Sequence, residues 1–274
     1  MRIGVLGCGG RMGRAVLREV IRAEGCAPAG GATRPGGAAV GRDLGLLAGL
    51  DPIGIAAGDD PAALVEAADV VVDFSAPGAA PGHARIAAGR GRAYVVGVTG
   101  FDSGQMAALR EAAARAPVVF APNTSLGVSL LLGLVERAAR ALGPEDFDIE
   151  VVEMHHRHKV DAPSGTALAL GHAAARGRGV ALDGVAARGR DGHTGPRPAG
   201  AIGFAALRGG DVVGDHTVMF AGGGERLELT HRATDRGIYA RGAVRAALWA
   251  GAPGRAPGFY GMADVLGLGQ NGGS

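Results

Sequence analysis

The chain has 274 residues, which is enough for one or two domains with a substantial core. Hydrophobic residues make up 47% and charged residues 20%, and the net charge of +2 favours neither a nucleic acid nor a membrane surface as a partner. The two cysteines, Cys8 and Cys26, cannot form a disulfide framework. Because the sequence also shows no signal peptide and no apolar run long enough to span a bilayer, we expect a cytoplasmic protein.

Strands and helices alternate through the first half of the chain. Short apolar segments predict strands over 2–6, 69–75, 93–100 and 117–123, of which 69–75 and 93–100 are rich in β-branched residues, and residues 25–33 can form a further strand. Apolar residues at helical spacing predict helices over 12–22 and 126–142, and Asp60 and Asp102 are N-cap residues that predict two further helix starts. This alternation indicates a parallel sheet joined by right-handed crossovers.

The pattern changes in the second half of the chain. It predicts a strand over 146–154 and a helix over 164–175, followed by a long loop rich in Gly and Arg over 176–199. Three strands follow, over 201–207, 212–220 and 226–233, and then a helix over 236–250. The three consecutive strands predict an antiparallel meander. We therefore predict a nucleotide-type α/β domain, an inserted α+β domain, and a C-terminal helix that packs back on the first domain.

A glycine-rich stretch, "VLGCGGRMG", links the first predicted strand to the first predicted helix. Gly7 and Gly9 match the GxGxxG pattern, although Met12 occupies its third glycine position, while Gly7, Gly10 and Gly13 match a GxxGxxG spacing. Glycine allows a tight turn and close backbone approach, and a helix N-terminus attracts phosphate. We predict a dinucleotide site here; a merely structural turn is the alternative, because the chain holds 51 glycines.

The residues after the second predicted strand indicate which dinucleotide binds. An acidic residue at that point would hold the ribose hydroxyls of NAD, and this chain has Thr33 and Arg34 instead. A guanidinium suits the 2′-phosphate of NADPH. We therefore predict NADPH as the preferred cofactor and NADH as a possible one; the alternative is that Arg34 is an ordinary solvated residue.

The stretch "EMHHRHKVDAPSGT" concentrates positive charge and proton carriers beside a turn. In a strand, His155, Arg157 and Lys159 would share one face, since side chains alternate. No cysteine or acid at ligand spacing completes a tetrahedral set with these histidines, so we predict no metal site. A solvated basic edge is the alternative for this stretch taken alone.

The end of the same stretch predicts an anion-binding turn. Ser164 can cap the helix that follows, which leaves the backbone amides of Gly165 and Thr166 at the positive end of that helix. Such a site suits a carboxylate, and Lys159 and the histidines beside it can transfer protons. Together with a hydride donor from the glycine-loop domain, these parts predict a reductase of a small anionic substrate.

Several motifs resemble those of the 4-hydroxy-tetrahydrodipicolinate reductase family, in order and across nearly the whole chain. They are "GCGGRMG" (7–13), "VVDFS" (71–75), "VVGVTGF" (95–101), "FAPNTSLGV" (120–128), "EMHHRHKVDAPSGTA" (153–167) and "GFAALRGGDVVGDHTVMF" (203–220). The long run at 153–167 is highly specific. The resemblance implies an α/β fold with an N-terminal Rossmann-type parallel sheet over 1–125 and 236–274. It also implies an inserted α+β mixed-sheet domain over 126–235, for substrate binding and oligomerisation into a homotetramer.

The resemblance also implies a reaction and roles for individual residues. A cyclic imine with two carboxylates and a 4-hydroxyl loses water, accepts hydride at ring carbon 4 from NAD(P)H, and is protonated, in lysine biosynthesis through diaminopimelate. His155 matches the acid/base and Lys159 the proton donor, and the substrate contacts are His156, Ser164, Gly165 and Thr166. The cofactor contacts are Gly7, Cys8, Gly9, Gly10, Arg11, Met12, Thr33, Arg34, Gly97, Val98, Thr99, Ala121, Pro122, Asn123 and Thr124.

Four positions depart from the family pattern. Thr33 replaces an acid that many members carry, and Val98 stands where threonine is common. Thr124 stands where an aromatic residue or methionine is common, and Ser129 where asparagine is common. These departures concern cofactor affinity more than proton transfer.

Three other functions fit parts of the sequence. Another Rossmann reductase of a small carboxylate would share the glycine loop without needing the histidine-rich stretch. A non-catalytic NADPH sensor would bind the cofactor without turnover. An RNA-binding protein would use the basic loop 176–199, but aromatic residues are only 4% of the chain, which disfavours base stacking.

Overall fold

The computed structural model describes residues 1–268, and the chain divides into two compact units. The first comprises Met1–Leu126 and the chain from Gly237 onward, and the second comprises Gly127–Arg236. These divisions lie within one residue of the domain limits expected from the sequence. Within residues 1–268, no helix is both long and apolar enough to cross a membrane.

The first unit is built on a six-stranded parallel sheet. Its strands are β1 (Arg2–Leu6), β2 (Ala27–Ala32), β3 (Val70–Asp73), β4 (Ala93–Val96), β5 (Pro117–Phe120) and β11 (Gly258–Tyr260), in the order β11-β5-β4-β3-β1-β2. Its helices are α1 (Arg11–Arg22), α2 (Leu44–Ala48), α3 (Pro61–Ala67), α4 (Ala80–Gly89), α5 (Ser103–Ala113), α8 (Gly237–Ala250) and α9 (Met262–Val265). The predicted parallel α/β sheet and the return of the C-terminal helix to the first domain are confirmed.

Helices cover both faces of this sheet, which explains the sequence of its central strands. Every residue of β3 and β4 is buried, as expected for parallel strands between two helical layers. One apolar layer joins the sheet to α1, α2 and α8, and the other joins it to α3, α4 and α5. The predicted N-caps are confirmed, because Asp60 accepts hydrogen bonds from the first turn of α3 and Asp102 forms a capping box with Gln105.

The second unit is a five-stranded mixed sheet with helices packed on it. It contains α6 (Leu126–Ala141), β6 (Phe147–His155), α7 (Gly165–Gly177), a 3₁₀ helix (Leu182–Gly184), β7 (Ala186–Arg188), β8 (Ile202–Arg208), β9 (Gly214–Gly222) and β10 (Arg226–Ala233). The strand order is β10-β9-β6-β8-β7.

Two predictions for this unit are wrong. The last three strands are not a simple meander, because β6 lies between β8 and β9, pairing parallel with β8 and antiparallel with β9. The segment 176–199 is not structureless either, since it contains the 3₁₀ helix and β7, which pairs with β8. Both errors concern partners that are distant in sequence, which local patterns do not encode.

Strand β6 directs chemically active side chains toward the interior of its unit. Its odd-numbered residues from Ile149 to His155 are buried, whereas its even-numbered residues are partly exposed. Ile149 and Val151 pack with α6, α7 and the neighbouring strands. Glu153 and His155 continue the same buried row toward the carboxyl end of the strand, so the core of the sheet leads directly into a polar cluster.

Candidate active site

The glycine loop of the first unit is a close-packed turn between β1 and α1. Gly7 adopts a positive φ of 74°, and its amide donates to the Ala32 carbonyl of β2 at 2.8 Å. A Cβ on Gly13 would lie 2.1 Å from the carbonyl oxygen of Gly7, so the first turn of α1 packs directly on the loop. This geometry fits the dinucleotide loop that the sequence predicts, in which glycines permit close backbone approach.

A crevice of about 590 Å³ opens beside this loop, within the first unit. Five of the predicted cofactor residues line it: Gly7, Gly9, Gly10, Thr33 and Arg34. Other lining residues follow β2 and β3 or lie on α1 and α4, notably Arg14, Arg42, Phe74 and His83. The volume is in the range of small-ligand sites, and the position at the carboxyl ends of parallel strands is where nucleotides bind in such folds.

The predicted cofactor residues outside this crevice fall into two groups. The first group lies at the glycine loop and the start of α1. The Cys8 side chain is buried in the core and therefore cannot contact a ligand, and burial raises the pKa of its thiol to about 11. Arg11 is exposed, and Met12 is half-buried. The other group follows β4 and β5 at the carboxyl edge of the same sheet: Gly97, Val98, Thr99, Ala121, Pro122, Asn123 and Thr124. Thr124 is buried, and its hydroxyl donates to the Tyr239 carbonyl at 2.7 Å.

The crevice wall carries an excess of positive charge. Arg34 and Arg42 are exposed and form no ion pair with any residue in 1–268. Arg14 donates through Nε to the Gly9 carbonyl at 3.0 Å, which places its guanidinium beside the glycine loop. Asp59 is the acidic residue on the same lining. Three guanidinium groups facing one crevice favour an anionic ligand such as a phosphate.

A buried carboxylate network supports the other side of the crevice. Asp73, at the end of β3, is fully buried; its Oδ2 accepts from the Tyr94 hydroxyl at 2.5 Å and lies 2.7 Å from His83 Nδ1. Its Oδ1 accepts from the Ser75 amide at 2.7 Å. Burial raises the pKa of Asp73, but hydrogen bonds from His83, Ser75 and Tyr94 outweigh it and hold the pKa below its usual value. The network fixes His83 through Nδ1 on the crevice wall.

The second unit holds a cluster centred on Glu153. Its Oε2 lies 2.6 Å from His155 Nδ1, and Arg208 reaches both of its oxygens, at 2.8 and 2.9 Å. The Ser164 amide donates to Oε1 at 3.1 Å. Burial raises the pKa of Glu153, yet the bonds from Arg208, His155 and Ser164 outweigh it and lower the pKa overall. Glu153 is therefore an ionised, buried carboxylate in contact with the predicted acid/base.

The predicted anion-binding turn follows directly in the chain. Ser164 Oγ accepts from the Ala167 amide at 3.2 Å, so the predicted N-cap of α7 is confirmed. Gly165 is exposed, with no heavy atom within 4 Å of the position a Cβ would occupy, and Thr166 is half-buried. The first amides of a 13-residue helix thus lie at an accessible helix N-terminus, where the helix dipole favours an anion.

Lys159 and His156 lie in the turn between β6 and α7. The expectation that Arg157 and Lys159 share a strand face with His155 is wrong, because β6 ends at His155 and the Lys159 amide donates to the His156 carbonyl at 3.1 Å. Lys159 Nζ donates to Asp161 at 2.8 Å. His156 Nε2 lies 3.4 Å from Arg236; burial and the Arg236 charge lower the His156 pKa, favouring the neutral ring.

Several residues of these sites were missed in the sequence, namely Arg14, Arg42, Asp73, His83, Glu153, Arg208 and His216. Two signals were available. Glu153 occupies a buried-face position in the alternating pattern of 147–155, and an acid on an apolar face implies a partner. Asp73 is the last residue of an otherwise apolar strand, so it too implies a buried partner. Within residues 1–268, no group of three or more His, Cys, Asp or Glu side chains could hold a metal ion.

The fold and the two sites define a class of protein. A parallel sheet with a glycine-loop crevice, combined with a separate unit carrying a His–Glu pair and a lysine beside a helix N-terminus, is typical of a Rossmann-type dinucleotide-dependent reductase. Residues 1–124 match the family described as "Dihydrodipicolinate reductase, N-terminus", and residues 127–266 match "Dihydrodipicolinate reductase, C-terminus". The chain belongs to the dihydrodipicolinate reductase family, as its motifs predict.

Relatives with curated names support this membership over the full length. The chain is 53% identical to a 4-hydroxy-tetrahydrodipicolinate reductase from Brucella abortus, over 98% of this chain and 99% of that protein. It is 55% identical to one from Rhodopseudomonas palustris, over 98% of each chain. The structure of a dipicolinate-bound dihydrodipicolinate reductase from Paenisporosarcina superposes with a TM-score of 0.76 at 22% identity, covering 96% of this chain and 98% of that one. This similarity confirms the predicted fold.

Proposed function

We propose that the protein reduces 4-hydroxy-tetrahydrodipicolinate to tetrahydrodipicolinate with NADPH, in lysine biosynthesis through diaminopimelate. The observation that carries the proposal is the cluster in which Glu153 holds His155, with Lys159 and the N-terminus of α7 close by in sequence. Sequence identity of 53–55% to reductases with that name, over essentially the whole chain, supports the same reaction.

The substrate carries two carboxylates, which the second unit is suited to bind. The amides of Gly165 and Thr166, behind the Ser164 cap, offer one anion site at the start of α7. His156 and Arg236, 3.4 Å apart, add a cationic guanidinium and a ring nitrogen in the same unit. Holding the substrate by its carboxylates fixes the ring carbon that reacts and offsets the negative charge that would repel hydride.

The crevice of the first unit is suited to a dinucleotide. The backbone of Gly7, Gly9 and Gly10 can approach the pyrophosphate, and the N-terminus of α1 favours its negative charge. Arg34, supported by Arg42, would pair with a 2′-phosphate, and Thr33 provides no carboxylate to repel it. These residues support a preference for NADPH, with NADH as a weaker alternative.

The reaction requires loss of water, hydride addition and one protonation. Loss of the 4-hydroxyl as water gives a conjugated imine, and the bound nicotinamide supplies hydride to ring carbon 4. The resulting enamine takes up one proton, which completes the tetrahydro product. His155 and Lys159 are the groups we assign to these proton transfers, His155 as the acid/base and Lys159 as the proton donor.

Two further expectations rest on the family resemblance and the composition. We propose a homotetramer built through the mixed-sheet unit, where Leu207 of β8 and Leu227 of β10 are 51% and 42% exposed. Light scattering on a sizing column tests this, since a monomer near 27.2 kDa would contradict it. A cytoplasmic location remains a prediction from cysteine usage.

Deuterium transfer tests the proposed reaction directly. The hydroxy-imine is generated from pyruvate and aspartate semialdehyde with a purified synthase, and NADPH carrying deuterium at nicotinamide C4 is added. Deuterium at ring carbon 4 of the product supports the proposal. Deuterium at another carbon, or none in the product while NADPH is consumed, would contradict it.

A further inference from the structure

We propose that Glu153 is the positioning residue of this active site, which fixes the catalytic orientation of His155 and ties it to the substrate-binding turn. The inference rests on the proposed function, because it assumes that His155 exchanges a proton with the substrate. Neither the family resemblance nor the sequence pattern assigned a role to Glu153. Its contacts connect three separate elements of the second unit.

The first contact fixes the histidine ring. Glu153 Oε2 lies 2.6 Å from His155 Nδ1, and both side chains are buried, 1% and 9% exposed. A carboxylate accepts but does not donate, so Nδ1 carries the proton. Nε2 is then the nitrogen that gains or loses a proton during the reaction. Two residues on the same face of one strand thus select the tautomer needed for acid/base catalysis.

The second contact keeps the carboxylate charged in a buried setting. Arg208 on β8 donates hydrogen bonds to both oxygens of Glu153, at 2.8 and 2.9 Å. This bidentate geometry is the one that binds carboxylates most strongly. An isolated buried Glu would be neutral and would lose its effect on His155. Arg208 therefore maintains the negative charge of the carboxylate that holds the His155 ring.

The third contact joins the acid/base to the anion-binding turn. The Ser164 amide donates to Glu153 Oε1 at 3.1 Å, and Arg208 Nη2 donates to the Asp161 carbonyl at 2.7 Å. The chain from 161 to 164 is thereby held against β6 and β8 immediately before α7 begins. A substrate carboxylate bound at Gly165 and Thr166 is placed relative to His155 by this one carboxylate.

Other charged or titratable groups also face His155. Glu153 on β6 contacts the ring directly, Arg208 on β8 acts through Glu153, and the ring of His216 on β9 has its centroid 5.0 Å away. His156 and Lys159 lie in the turn that follows β6. Glu153 is the anionic member of this set, and the others are cationic or neutral. Removing its charge is therefore the change that most directly frees the His155 ring from its fixed orientation.

The test compares Glu153→Gln with the control Glu150→Gln. Glu150 lies three residues earlier on β6, has an opposite orientation, and is also paired with arginine, in its case Arg190 and Arg197. We expect Glu153→Gln to lower kcat by about two orders of magnitude and to change the shape of the pH–rate profile. Glu150→Gln is expected to leave both unchanged.

A readout independent of turnover completes the test. The ¹⁵N chemical shifts of the His155 ring distinguish a protonated Nδ1 from a protonated Nε2. We expect a single Nδ1–H form in the wild type and in Glu150→Gln, and a mixture in Glu153→Gln. Binding of pyridine-2,6-dicarboxylate, measured by calorimetry, is expected to weaken several-fold in Glu153→Gln, because the single amide oxygen cannot accept from both the Ser164 amide and His155 Nδ1 as the two carboxylate oxygens do.

The outcomes separate this inference from the proposed function. If Glu153→Gln leaves the ring shifts, the pH profile and kcat unchanged, the positioning role is wrong. If the wild type shows no turnover, the proposed function fails, and the ring shifts still decide the role of Glu153. Should Glu153→Gln unfold because Arg208 loses its partner, the double variant Glu153→Gln/Arg208→Gln removes both charges, and the same three measurements apply to it.

Discussion

Ser164 Oγ and His216 Nε2 lie 3.1 Å apart in the interior of the second unit, although 52 residues separate them in sequence. Ser164 caps the helix that carries the anion-binding amides, and His216 comes from the adjacent strand β9. His216 is 4% exposed, and its Nδ1 has no hydrogen-bond partner among residues 1–268. A buried neutral imidazole thus contacts the N-cap residue, and protonating it would place a positive charge in the interior of the unit.

We predict that this contact makes the stability of the second unit pH-dependent. Burial, followed by the charge of His155, lowers the pKa of His216 from 6.5 to about 4. Glu153, opposite on β6, opposes this effect, whereas His231 on β10 and Lys159 add to it. Because the folded-state pKa lies below the unfolded value, the unfolded chain binds the proton more tightly. Stability is therefore full above about pH 6.5 and falls toward pH 4, by up to about 3 kcal/mol.

Thermal melts between pH 7 and pH 4 check this prediction. In His216→Asn the acid loss should be smaller than in the wild type, because the group that takes up the proton is gone. His172→Asn, at an exposed position on α7, is the matched control and should retain the wild-type slope. The same acid dependence in His216→Asn and in the wild type would assign the effect to other groups.

A second prediction concerns the packing of the glycine loop. Gly13→Ala would place a Cβ 2.1 Å from the Gly7 carbonyl oxygen and 2.8 Å from the Cys8 Cα, both backbone atoms that cannot move aside. We expect a loss of about 3 kcal/mol, a fall in Tm of about 5–10 °C, and loss of NADPH binding. Gly82→Ala is the control, because a Cβ on Gly82 in α4 meets nothing within 4 Å. Equal Tm values for the two variants would show that the loop relaxes without cost.

A third prediction distinguishes contacts with the 2′-phosphate of NADPH from contacts with the rest of the nucleotide. Arg34→Ala and Arg42→Ala should each weaken NADPH binding about tenfold, the loss expected for one charge-assisted contact, with less than about twofold effect on NADH. Calorimetry with 2′,5′-ADP and 5′-AMP gives the same comparison without catalysis. Arg115→Ala is the control, since Arg115 is exposed and does not line the crevice. Equal weakening of NADPH and NADH would make Arg34 a general contact.

Local patterns predicted most of the first unit correctly. Apolar runs such as 70–72 identify strands buried on both faces, and Asp60 and Asp102 mark helix starts through short-range hydrogen bonds. The missed strand β11 has only three residues and depends on pairing with β5, 138 or more positions away. The misplaced β8 likewise depends on β6, its partner across about 50 residues. Pairing at such distance is decided by the assembled fold.

The candidate site was predictable where its parts are adjacent in sequence. Ser164, Gly165 and Thr166 follow from helix capping, and the glycine loop from its strand and helix context. Arg208 lies 55 residues from Glu153, and Tyr94 lies 21 residues from Asp73. Neither this ion pair nor this hydrogen bond could be predicted from the sequence. Lys159 does not share a strand face with His155, because β6 ends at His155.

The most direct test of the account measures nicotinamide absorbance at 340 nm while the hydroxy-imine is generated in place, with NADPH and separately with NADH. We predict substrate-dependent oxidation that is faster with NADPH. In Lys159→Ala and His155→Ala we predict a fall of about two to four orders of magnitude with NADPH binding retained, whereas His172→Ala keeps the wild-type rate. Oxidation of neither cofactor by a folded wild type that binds NADPH, or full activity in both variants, would contradict the account.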